Sequence, residues 1–125
     1  PFYGKNYQNI TMKFKIKDTN KTGGSTMLWQ GILRWLTTDS NEKDAWTTGS
    51  TSRYKIVANP YTSTNLDTVS EDWKTVSWDL SESSDWNDRV ITALRFDMFQ
   101  VTDNDSEMEI HTDIDYIRIH ANTTG

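Results

Sequence analysis

The chain has 125 residues and no cysteine. Disulfide staples, thiolate chemistry and cysteine-based metal centres are excluded, so any core must hold by packing alone. A cysteine-free β-core is more usual in bacterial and phage proteins than in secreted eukaryotic domains. There is no run of the roughly 20 apolar residues that a spanning helix needs, and no membrane insertion is expected. Positive charge is in deficit as well: Lys and Arg number 13 against 18 acidic residues, for a formal net charge of -5. A surface of that sign repels phosphate, so nucleic acid is not an expected partner. The sequence starts at Pro1 without methionine or a signal-like segment. It is expected to be one domain, 1–125, excised from a larger protein whose remainder is its partner.

Catalytic signatures are missing too. No Ser-His-Asp spacing, nucleophile elbow or Gly-rich phosphate loop occurs. Acid–base hydrolysis needs two carboxylates facing each other across a cleft. Carboxylates abound here, Asp79, Glu82, Asp85 and Asp88 among them, but most lie in loops or alternate along a solvated face. A non-enzymatic role is expected.

What is present is a period of two. Ile10, Met12, Phe14 and Ile16 alternate with Thr11, Lys13, Lys15 and Lys17, the pattern of a strand with one buried and one solvated face. Residues 27–38 read as a second strand, with Trp29, Leu33 and Trp35 on one side and Gln30, Ile32, Arg34 and Leu36 on the other. Gly31 in its middle predicts a bulge or a close backbone approach. Short strands follow at 53–58, 73–80, 90–100 and 108–120, separated by polar loops, with at most one helical turn around Trp86. Strands at this spacing with no helix of length predict an all-β antiparallel sandwich of about eight strands.

Six tryptophans in a chain with a mean hydropathy of -0.75 are the second oddity. Trp29, Trp35, Trp73, Trp78 and Trp86 fall at positions expected to pack in the core or cap its edges. Trp46 sits alone in a long polar loop, where no core periodicity claims it. Sugar rings offer C–H faces to aromatics and hydroxyls to bidentate polar groups. Trp46, Tyr54 and Tyr61, with Gln30, Arg34, Arg95 and Asp97 at outward strand positions, are the candidate ligand-binding residues for that chemistry. The plainer reading makes Trp46 a loop plug and the charged residues ordinary ion pairs.

The C-terminal third reads WKTVSWDLSESSDWNDRVITALRFDMFQ from Trp73 and closes with MEIHTDIDYIRIHA. This phrasing resembles the galactose-binding-like jelly roll, a family used widely as carbohydrate-binding modules. Such domains occur in bacterial polysaccharide-active enzymes and in phage tail and baseplate proteins. The resemblance covers Trp73 to Ile119 well, Tyr7 to Thr38 less well, and the long central loops poorly. It implies a jelly-roll sandwich that binds a polysaccharide or cell-wall glycan without breaking it, in an extracellular or virion setting. It carries no binding residue over to particular positions.

Binding of that kind requires no cofactor, although the family often carries a structural calcium near its terminal strands. Asp103 and Asp105 in the acidic turn, with Asp113 and Asp115 on the last strand, are the oxygen donors available for one. His111 shares the strand phase of Asp113 and Asp115, yet no third zinc ligand accompanies them. The alternative function is a structural or protein–protein spacer module of a larger assembly that touches no sugar.

Overall fold

Alternation along the first long strand decides how the layers meet. Ile10, Met12, Phe14 and Ile16 are all buried, while Thr11, Lys13 and Lys15 between them reach solvent. The structure, a computed structural model, describes residues 1–21, 26–38, 53–66, 72–101 and 108–121. Its strands are β1 (Phe2–Tyr3), β2 (Asn9–Lys21), β3 (Met27–Thr37), β4 (Tyr54–Ile56), β5 (Lys74–Asp79), β6 (Val90–Val101) and β7 (Met108–His120). Among the described residues, helix is confined to a 3-10 turn at Gly4–Asn6 and one α-turn, α1, at Ser84–Asn87.

The strands form two antiparallel sheets, four-stranded in the order β1-β6-β3-β4 and three-stranded in the order β5-β2-β7. They pack as a sandwich. Seven strands among the described residues stand against the expected eight or so, and the fold class is as the alternation implied. Between the layers, β2 meets Leu33 and Trp35 of β3, with Val76 and Trp78 of β5 alongside. Each such side chain, once fully buried, contributes roughly 1.5–3 kcal/mol.

Gly31 marks the bulge that its position in β3 suggested. The pairing of β3 with β6 loses register between Trp29 and Ile32, and Gly31 has φ +62°. A β-carbon there would collide with the Trp29 indole and the Val57 carbonyl. The position requires glycine on both counts. After the bulge, Leu33 and Trp35 face inward and Arg34 faces outward.

Trp86 fastens the chain start to the helical turn. Its Nε1 donates to the carbonyls of Gly4, at 2.8 Å, and Tyr7, at 2.9 Å. Trp35 meets its ring edge to face, with centroids 5.2 Å apart. Asn87 Nδ2 donates to the carbonyls of Leu80, Ser81 and Ser83 and so closes the turn that delivers β6 to its sheet.

Candidate functional site

The outer face of the four-stranded sheet collects four of the candidate residues. Arg34 lies opposite Arg95 on β6 and Tyr54 on β4, while Ile32 lies opposite Asp97 and Ile56. Directly opposed residues share a face. Leu33 and Trp35 are core residues, so Arg34, Tyr54, Arg95 and Asp97 point away from the core together.

Two arginines directly opposite each other repel unless an anion intervenes. Asp97, two residues beyond Arg95 on the same face, is that anion. Its Oδ2 accepts from Arg34 Nε at 3.0 Å and from Arg95 Nη2 at 2.9 Å, and its Oδ1 accepts from Arg95 Nε at 2.9 Å. Partial burial pushes the Asp97 carboxyl up, but the hydrogen bonds and charges of Arg95 and Arg34 outweigh this and hold it below the usual carboxylate range.

Tyr54 completes the face. Its side is 43% exposed, and the Arg34 guanidinium lies 5.8 Å from its ring centroid. Ile32 is buried at 9% yet lies outside the continuous core cluster, beneath this same surface. The outcome is an aromatic ring beside planar donors whose orientation is fixed by a carboxylate and two strands. Such a surface can take hydroxyl pairs and planar polar groups while offering a ring face to C–H bonds. Asp97 is the one carboxylate on this face among the described residues.

Tyr61 and Gln30 do not join it. Tyr61 is buried, 9% exposed, and packs edge-on against Phe14 and Trp29. Asn59 Oδ1 accepts from the Tyr61 backbone N–H at 2.8 Å and turns the loop inward. Burial, opposed by the nearby Ile16 backbone and reinforced by the charge of Asp72, pushes the Tyr61 hydroxyl up to about 12. That oxygen makes no well-formed hydrogen bond among the described residues. Tyr61 is therefore a core residue and not the exposed aromatic its loop position suggested. Gln30 is half-buried in the interval where β3 and β6 lose register, and so has no cross-strand neighbour on β6. Trp46, Asp103 and Asp105 lie outside the described residues. The segment that holds Trp46 leaves after Thr38 and returns at Arg53, directly before Tyr54.

Asp113 and Asp115 do not sit on a simple alternation. Lys15 pairs with Asp113, Phe14 with Ile114 and Lys13 with Tyr116, so Asp115 is the extra residue of a bulge. Its carboxylate lies 3.5 Å from Lys13 Nζ. No three His, Asp or Glu side chains gather at metal-binding distance among the described residues.

Trp73 departs from its expected packing. It is 45% exposed, with Lys15 Nζ 4.9 Å and Lys13 Nζ 5.6 Å from its ring. The sequence holds the signal: position 73 has the opposite parity to buried Val76's neighbours Trp78 and Leu80, so it falls on the outward phase of β5. The chain matches no protein-family model, no curated protein and no solved structure.

Proposed function

We propose that this domain is a non-catalytic carbohydrate-binding module of galactose-binding-like jelly-roll type, and that the outer face of the four-stranded sheet is its glycan site. What supports the reading above all is the exposed Tyr54 ring set beside the Arg34–Asp97–Arg95 cluster on one rigid sheet face. The ligand class is a bacterial cell-surface polysaccharide, and the setting is extracellular or on a virion, in host adhesion by a phage or in targeting of an enzyme. A single shallow face gives weak affinity, and several copies acting together give useful attachment. Titration of cell-wall polysaccharide into the labelled domain, followed by amide chemical shifts, tests this. Shifts clustered on β3, β4 and β6 are expected; a folded sample that shows none defeats the proposal.

A second reading rests on an apolar groove lined by β2, β6 and β7, between the two sheets. Ile114, Ile117 and Ile119 of edge strand β7 are exposed. Together with Phe14, Phe96 and Met98 two of them line this open groove of about 320 Å³. Large exposed apolar patches mark interaction surfaces, which favours a protein–protein spacer role. Shifts confined to β6 and β7 on addition of assembly proteins, with silence toward glycans, select that reading.

A further inference from the structure

Two guanidinium groups, those of Arg34 and Arg95, converge on the Asp97 carboxylate on the outer face. On that face the strands carry Arg34 and Arg95 with Asp97 as their one acidic residue, in a chain of net charge -5. Most acidic residues fall between strands instead.

Arg34 sharpens this from charge to geometry. Asp97 accepts from its Nε at 3.0 Å, and among the described residues its two Nη groups make no hydrogen bond. Guanidinium binds carboxylates through parallel N–H pairs. With Nε engaged, the edge formed by the two Nη groups remains for a second planar anion. Tyr54, whose ring centroid is 5.8 Å from that guanidinium, supplies an apolar surface at the span of one sugar ring. A ring that bears a carboxylate satisfies both features at once, whereas a neutral sugar satisfies only the second.

We infer that the ligand is an acidic polysaccharide whose uronate carboxylate is taken by Arg34 beside Tyr54. This rests on the carbohydrate-binding reading above. Asp97 is a positioning residue in this scheme: it fixes the Arg34 fork and touches no sugar.

The test is isothermal titration of the unaltered chain with oligogalacturonate, with the methyl ester of the same oligomer, and with dextran sulfate. The acid should bind at least about tenfold more tightly than the ester, the worth of one charge-assisted pair, and its affinity should fall as salt rises. Arg34→Lys, with its fold checked by circular dichroism, should weaken acid binding by about tenfold, because charge is kept and the fork is lost. Should that variant not fold, the acid–ester comparison still decides. Equal affinity for acid and ester overturns the inference and leaves carbohydrate binding standing. So does binding of cell-wall polysaccharide with neither oligomer bound. Dextran sulfate bound as tightly as the uronate shows that the face reads charge alone and overturns the assignment. Silence toward every glycan removes this inference and the proposed function together.

Discussion

The indole Nε1 of Trp78 donates to the carbonyl oxygen of Gly31 across the sandwich, at 3.1 Å. Trp78 belongs to one sheet and Gly31 to the other, so this bond ties the layers at the bulge. Removal of the indole empties a fully buried site. Trp78→Ala is expected to cost about 3–5 kcal/mol. Gly31→Ala forces a left-handed residue and a collision with Trp29, and is expected to cost roughly 1–3 kcal/mol. Urea unfolding midpoints of both variants, at unchanged slope, check these values.

Trp86 presents a separable hydrogen-bond test. Trp86→Phe keeps most of the buried ring and removes the donor that serves the Gly4 and Tyr7 carbonyls. A loss of about 1–3 kcal/mol is expected from the stranded acceptors. Amide exchange at Gly4, which donates to the Arg89 carbonyl at 3.0 Å, should accelerate before exchange in β2 does. Uniform acceleration across both sheets contradicts a local tie.

Period-two patterning carried the sandwich, because one-sided burial writes itself into alternate residues. β2 was legible from Ile10, Met12, Phe14 and Ile16 alone. The bulge at Gly31 was legible for the same reason, since only a special backbone accepts glycine in mid-strand. Tyr61 was not legible. Its burial depends on a local Asn59 turn and on a gap beside Phe14, and no strand phase encodes either. The convergence of Arg34, Arg95 and Asp97 was half legible: parity placed each outward, but strand order and register, which bring β6 beside β3, are set by long-range pairing. Asp115 escaped because a bulge breaks the alternation that sequence reading assumes.

Acid should weaken the fold partly through Asp97. Its carboxyl is held below the usual range in the folded chain. The unfolded chain therefore takes up the proton first as pH falls. The stabilisation is complete above the ordinary aspartate value, about 3.9, and disappears as pH drops through the folded value. Asp97→Asn should flatten the decline of stability below about pH 4, measured by urea titrations at stepped pH. An unchanged acid limb in the variant means that Arg34 and Arg95 do not stabilise the carboxylate.

Alkali should act through Tyr61 with the opposite sign. The folded hydroxyl is pushed up to about 12 from 10.0. As pH rises the unfolded chain loses its proton first. The stabilisation is intact below about pH 10 and is lost toward the folded value of about 12. Tyr61→Phe removes this loss. It also removes a buried hydroxyl that lacks a good partner, so the variant should be no more than about 1 kcal/mol less stable at neutral pH. A variant that declines above pH 10 as steeply as the parent chain assigns the alkaline limb to other groups.

Binding and folding should separate at Tyr54 and Trp46. Tyr54 is 43% exposed and covers the Arg34 guanidinium, so Tyr54→Ala should cost no more than about 1 kcal/mol. On the proposed reading it should weaken glycan binding at least tenfold, or about 1.4 kcal/mol. Trp46 lies outside the described residues, and its neighbours in sequence are polar with no strand phase. Trp46→Ala should leave stability within about 0.5 kcal/mol and also weaken binding. Denaturation and glycan titration of the two variants side by side decide among the possibilities. Loss of binding in both places a composite site where the sheet face meets the segment that carries Trp46. Loss in Tyr54→Ala alone confines the site to the sheet. If Trp46→Ala unfolds the domain as readily as Trp78→Ala, Trp46 is a packing residue, and the contacts must come from Arg34, Tyr54 and Arg95 on the sheet face.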